Sequence, residues 1–310
     1  MYVSIGLSLL GIILLLGGIF FMRLGLQKLL LHRFKDLLGQ LTKQPWRSLL
    51  FGTFAAAMMQ SSTAVSLLTI TLVSAEYLSF HQGLGIILGA NIGTCSTVQL
   101  MTLSIPKDLF LPMLIFFIFF TITLKKFRNM GMAISGLLSM FIGITILSNA
   151  LSTFSEFSTL IEYVVTAQEN PLYGILGGII ITLLFQSSSA ATGVIMVLAN
   201  EGIMDLMTAS YVVYGNNIGS CLSSLIVGAA GTLAAKRIAV AHVLLNILGV
   251  VFFLPITTVL TKTATFITAD FAGQVAIVHT LFNIISSLAV VPIMYQYTKL
   301  IYFLIPGKGR

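Results

Sequence analysis

The chain has 310 residues, only 8% of them charged, against roughly 25% in an ordinary globular domain. With 57% apolar residues and a mean hydropathy of +1.03, most of it belongs in lipid, which excludes a soluble enzyme, a secreted disulfide scaffold and a nucleic-acid binder. The formal charge of +7 is scattered over short connections between apolar segments, where basic residues report orientation across a bilayer and not a polyanionic partner.

The first apolar stretch, 3–22, has no basic residue ahead of it, so it reads as a span and not as a cleavable signal peptide. The basic, leucine-rich run from Leu24 to Leu41 reads as an amphipathic helix lying along the interface. Further spans are predicted over 83–104, 109–124, 130–148, 206–227, 238–256 and 275–296, seven in all, the third being short. The stretches 48–75 and 171–200 are apolar too, but each is broken at its centre by a polar cluster. These are Gln60-Ser61-Ser62-Thr63 and Gln186-Ser187-Ser188-Ser189. Each stretch is expected to be a pair of helices meeting at a polar tip. Cys95 and Cys221 lie inside apolar segments and read as free thiols packed as small residues. Glu156, Glu162 and Glu169, with no basic neighbour, fit an outside loop.

The two tips are 186 − 60 = 126 residues apart, and GANIGTC (Gly89 to Cys95) precedes GNNIGSC (Gly215 to Cys221) by 215 − 89 = 126. One ungapped offset shared by two motifs marks an internal duplication. The expected fold is an all-α polytopic membrane protein. Repeat 1 covers 1–128 with its hairpin at about 48–75, repeat 2 covers 129–256 with its hairpin at about 171–200, and 257–310 holds a C-terminal span and a short cytoplasmic tail.

If both hairpins are re-entrant, each repeat crosses the bilayer three times, so the second copy lies upside down, as in the inverted repeats of secondary transporters. With the N-terminus outside, this arrangement puts 14 of the 16 basic residues on the inner face. They are Arg23, Lys28, Arg33, Lys35, Lys43 and Arg47, then Lys125, Lys126 and Arg128, then Lys236 and Arg237, then Lys299, Lys308 and Arg310. Lys107 and Lys262 stay outside, which satisfies the positive-inside rule; two hairpins that both crossed would give a 12 to 4 split with Lys125 to Arg128 on the wrong side, a modest margin, and a first hairpin that crossed alone would split the set 8 to 8. The expectation is a multi-pass protein of the plasma or inner membrane with a cytoplasmic C-terminus.

Non-helical backbone at membrane depth is tolerated where it is buried in protein or lines a polar cavity. A helix starting at each tip would aim free N–H groups and the positive end of its dipole at that cavity, and two such tips facing each other make an anion site. The glycines around Asn91 and Asn217 allow local unwinding, which would present the amide oxygens to the cavity. No Lys or Arg falls in the middle of a predicted span, so an anion there would need companion cations, which points to cotransport with Na⁺ or H⁺. Taken singly, Ser, Thr and Gln in a span read as interhelical hydrogen-bonding groups; their duplication at one offset favours a substrate site. His242 with Asn246, and His279 with Asn283, read as interhelical hydrogen-bonding pairs. Gly17-Gly18 and Gly177-Gly178 read as close-packing points.

At these motifs the chain resembles the sodium/phosphate cotransporter family, type II, and the likeness extends to AKRIAVAHVLLN (Ala235 to Asn246) and VHTLFN (Val278 to Asn283). The resemblance implies phosphate binding by Gln60, Ser61, Ser62, Thr63, Gln186, Ser187, Ser188 and Ser189. It implies Na⁺ binding by Ser62, Thr63, Asn91, Thr94, Ser188, Ser189, Asn217 and Ser220. Thr63 stands where the family has Ser, Cys95 and Cys221 stand where it commonly has a second Thr, and the chain reads as a short bacterial-type member without a C-terminal PhoU-like domain.

The function expected is Na⁺-coupled, alternating-access import of inorganic phosphate, with Na⁺ as the coupling ion, no other cofactor, and a homodimer as the first expected assembly. The alternatives are a Na⁺-coupled carrier of another oxyanion or a carboxylate, an anion channel, and a non-transporting sensor. With no nucleotide-binding loop and no nucleophile–base pair, the chain reads as a transporter and not an enzyme.

Overall fold

The computed structural model describes residues 2–38, 45–152 and 158–307; Leu41, Lys43, Glu156, Lys308 and Arg310 lie outside them. Among the described residues there are helices and no strand. The first half runs α1 (Tyr2–Leu38), α2 (Pro45–Met59), α3 (Ser62–Ser74), α4 (Phe80–Leu100) and α5 (Phe110–Thr123). The second runs α6 (Arg128–Ser152), α7 (Ser158–Glu169), α8 (Pro171–Phe185), α9 (Ser188–Asn200), α10 (Leu206–Ala230) and α11 (Leu233–Phe253). After a short turn at Leu254–Ile256 follow α12 (Thr257–Ile267), α13 (Phe271–Val290) and α14 (Met294–Leu304). The protein is an all-α, multi-pass membrane protein.

The sequence offset reappears in the backbone. Shifting α2 by 126 gives the start of α8 (171 − 45), and shifting α3 gives both ends of α9 (188 − 62 and 200 − 74). Even the caps follow: Ser79 accepts from Gln82 N–H ahead of α4, and Asp205, 126 residues later, accepts from Thr208 N–H ahead of α10. The left-handed turn residues Glu76 (φ 62°) and Gly202 (φ 70°) are also 126 apart.

Six of the seven predicted spans are helices long and apolar enough to cross a bilayer. The seventh, 109–124, is the 14-residue α5, about 21 Å long at 1.5 Å per residue and short of a full crossing. Three other expectations change. Leu24 starts no separate interfacial helix, because α1 continues unbroken to Leu38. The acidic loop is mostly helix, since Glu162 and Glu169 lie on α7. The C-terminal segment folds back as α14, where the Arg237 guanidinium stacks on Tyr302 at 3.8 Å and donates to the carbonyls of Ile305 and Gly307.

Glycine decides how the helices meet. On α1, Gly11, Gly18 and Gly25 press against the backbone of α6, and Gly136 and Gly143 of α6 press back on α1. The unwinding expected around Asn91 and Asn217 does not occur: α4 and α10 are helical throughout. Their glycines instead admit the hairpin arms, with Gly89 and Gly93 against Leu49 and Thr53 of α2 and Gly215 against Ile175 of α8. Of the two glycine pairs, Gly18 and Gly178 meet neighbouring backbone, Gly177 faces the Tyr163 hydroxyl, and Gly17 has open space.

Candidate functional site

Both tips are built alike. Gln60 and Gln186 close α2 and α8 in the left-handed region, at φ 52° and 51°, a conformation uncommon for residues other than glycine. That reversal swings Ser61 and Ser187 into extended backbone, where each side chain caps the next helix by accepting from Ala64 N–H and Ala190 N–H. The helices therefore start at Ser62 and Ser188, with their first N–H groups and positive dipole ends at the tips.

The tips share one cavity. Thr63 of the first tip lines it together with Gln186, Ser187 and Ser188 of the second and Ser220 of the second Gly-Asn-Asn motif. Its volume is about 10 Å³, room for about one water, so this is a nearly closed arrangement. Gln60, Ser61, Ser62 and Ser189 do not line it. Ser62 instead donates to Thr94 Oγ1 at 3.3 Å, joining the first tip to the first Gly-Ala-Asn motif. Ser189 is buried at the start of α9.

The tips differ in one respect that the sequence explains. Gln60 is buried and donates to Ser96 Oγ at 3.0 Å, whereas Gln186 is exposed and, among the described residues, donates only to Leu183 O within its own helix. The residue 126 positions after Ser96 is Leu222, which offers no oxygen.

The asparagines of the two motifs also part company. His242 Nε2 on α11 donates to Asn91 Oδ1 at 3.1 Å, so an interhelical bond takes one of the two acceptor positions of the oxygen expected to face Na⁺. Asn217 Nδ2 donates to Val213 O, and Ser220 Oγ donates to Asn217 O. The thiols are buried as expected: Cys221 points at the His242 carbonyl and Cys95 at that of His279.

Two features escaped the sequence reading. The expected absence of a fixed positive side chain is overturned by Arg23, whose Nη2 donates to Ser187 Oγ at 3.1 Å. It stands one residue beyond the predicted end of the first span, on a helix that does not end there. The second is Asn216, buried between Thr182 of α8 and Thr192 of α9, each at 3.2 Å. The first repeat has Ala56, Ala90 and Ser66 at these positions, and that departure between the copies was the available signal. Asn216→Ala strands the Thr182 hydroxyl in a dry interface, at about 1–3 kcal/mol for an unpaired group, and takes from Thr192 the donor it accepts from, while Thr192 still donates to Ser188 O. We expect its melting temperature in detergent to fall clearly below that of the parent.

The sequence pattern of the family described as "Na+/Pi-cotransporter" matches residues 14–149 and again 150–283. Over 297 residues the chain is 29% identical to "Uncharacterized protein YqeW" of Bacillus subtilis, covering 96% of this chain and 97% of that one. It is 24% identical over 253 residues to "Putative inorganic phosphate export protein YjbB" of Escherichia coli, covering 81% of this chain and 46% of that one. It therefore spans about half the length of that relative. A 58-residue stretch is 38% identical to "Sodium-dependent phosphate transport protein 2A" of Oryctolagus cuniculus, 19% of this chain and 9% of that one. No solved structure matches. The two family matches, each holding one of the serine-bearing tips, cover most of the length: the chain belongs to the Na+/Pi-cotransporter family.

Proposed function

We propose that the protein is a sodium-coupled secondary active transporter of inorganic phosphate that works by alternating access around the two tips. The observation that carries this reading is the single cavity shared by Thr63, Gln186, Ser187 and Ser188. Two hairpins from different repeats supply hydroxyls and helix N-termini to one point, as an oxyanion requires. In this reading 1–128 and 129–256 are inverted repeats, the hairpins re-enter from opposite faces, and 257–310 adds a C-terminal span. The N-terminus is outside and the C-terminus cytoplasmic.

The electrostatics favour a cation-coupled cycle. Each helix end contributes about 0.3–2 kcal/mol toward an anion, while desolvating an ion costs several kcal/mol. One arginine at the second tip offsets a single charge, so a phosphate dianion still needs cations beside it. A tenfold Na⁺ gradient supplies about 1.4 kcal/mol per ion, and each net charge moved adds about 2.3 kcal/mol per 100 mV.

The test is radiolabelled phosphate uptake into proteoliposomes with sodium or choline outside, together with competition by arsenate, sulfate and dicarboxylates. Saturable, accumulative uptake that needs Na⁺ is expected, with arsenate competing and Ser62→Ala and Ser188→Ala both reducing it. Uptake equal in choline would defeat the coupling. Stronger competition by a dicarboxylate would move the reading to a carboxylate carrier, and flux that only follows the gradient would move it to a channel.

A further inference from the structure

Arg23 is a half-buried cation with no acidic partner among the described residues. Its Nη2 meets Ser187 Oγ, and its Nε is buried with no hydrogen-bond partner. A guanidinium in this condition is costly, because a charge removed from water is compensated only by an opposite charge and filled hydrogen bonds. The arginine also fixes which way Ser187 can act. Ser187 Oγ already accepts twice, from Ala190 N–H at 3.3 Å and from Arg23. Both acceptor positions are used, so its own proton is left to donate. Ser187 lines the cavity, and a serine that can only donate, held by a guanidinium with donors to spare, is built for an anion.

We propose that Arg23 is the fixed counter-charge of the transported oxyanion: when the cavity opens to admit phosphate, the guanidinium contacts a phosphate oxygen beside Ser187. This rests on the phosphate reading above and adds to it the residue that recognises charge. The arrangement is one-sided. The position 126 residues after Arg23 is Asn149, so the second copy supplies no matching charge. Charge recognition comes from α1, and the serine that it orients comes from the second hairpin. A planar fork of donors suits an oxyanion better than a single ammonium does, so lysine in its place keeps the charge and loses the paired geometry.

The experiment compares wild type, Arg23→Lys and Arg23→Gln as full chains in proteoliposomes, reading KM for phosphate at saturating Na⁺ and the half-saturation for Na⁺ at saturating phosphate. Arg23→Gln should raise KM at least about tenfold, the size of a lost charge-assisted hydrogen bond, with Arg23→Lys in between and the Na⁺ half-saturation within about twofold of the parent. A role confined to holding the fold would lower the maximal rate and melting temperature and leave KM in place. Because Arg23→Gln could fail to fold, a second measurement uses the wild type alone. Phosphate should slow labelling of Arg23 by phenylglyoxal, read by peptide mass spectrometry, while chloride at equal ionic strength should not. Na⁺-dependent phosphate uptake with an unchanged KM in folded Arg23→Gln, or labelling indifferent to phosphate, overturns the assignment of Arg23 and leaves the transport reading standing. Absence of phosphate uptake by the wild type overturns both.

Discussion

Gly215→Ala should abolish the accumulation of folded protein. A Cβ at this position would lie 1.9 Å from the Ile175 carbonyl oxygen and 2.8 Å from its carbon, both of them backbone. No rotamer change relieves that clash, so α8 and α10 have to move apart. Separation also pulls Asn216 away from Thr182 and exposes the interface that Gly178 forms with Val212. Overpacking alone costs about 1–3 kcal/mol and sometimes more, and each orphaned hydroxyl or amide adds about 1–3 kcal/mol. Against a total stability of about 5–15 kcal/mol, the sum removes most of the margin. Fluorescence-detected size-exclusion of detergent extracts should show the monodisperse peak lost. Gly17→Ala is the matched control: nothing lies within 4 Å of its Cβ, and the gain in helix propensity of about 1 kcal/mol should hold or raise the melting temperature.

Ser187→Ala should cost far more activity than Ser61→Ala, although the two serines occupy equivalent caps. Both changes remove a helix cap worth about 0.5–2 kcal/mol. Only the first also removes the acceptor of Arg23 and the hydroxyl that lines the shared cavity. Hydrogen bonds to charged groups are worth about 1.5–3 kcal/mol, so Ser187→Ala should lower phosphate uptake at limiting substrate by roughly 10- to 100-fold. Ser61→Ala, whose side chain accepts among the described residues from Ala64 alone, should stay within about tenfold of the parent. In the double variant Ser187→Ala with Arg23→Gln the losses should be less than additive, because each change alone breaks the bond between the two side chains. Additive losses would mean that the two side chains act separately.

The architecture was legible in the sequence for a definite reason. A bilayer permits few backbone solutions, and a duplication reports each element twice. The 126-residue shift predicted hairpin arms that the backbone reproduces residue for residue in α3 and α9. The serines of the tips were also readable, because hydroxyl-bearing residues at the centre of apolar stretches have few roles. What could not be read depended on side chains meeting across long separations. Arg23 reaches a serine 164 positions away, and nothing near position 23 marks it apart from the other basic residues that follow the first span. The glycines of the Asn motifs were misread because unwinding and close approach use the same residue. Only the position of the opposing helix tells them apart, and α2 and α8 pass so close that the second use wins.

The glycine seam between α1 and α6 limits what can move. Its contacts recur every seven residues, at Gly11, Gly18 and Gly25 and at Gly136 and Gly143, with main chain meeting main chain. Sliding one helix along the other would bring the next glycines into register only after about 10 Å, and intermediate positions drive side chains into carbonyls. These two helices thus form a keel with no gearing. The inner arms of the hairpins are held more softly: α3 meets Gly83 through Val73 and Thr69 side chains, and α9 meets the flexible thioether of Met101. Displacement costs least at those inner arms, because methyl groups and sulfur can yield where main chain pressed on main chain cannot.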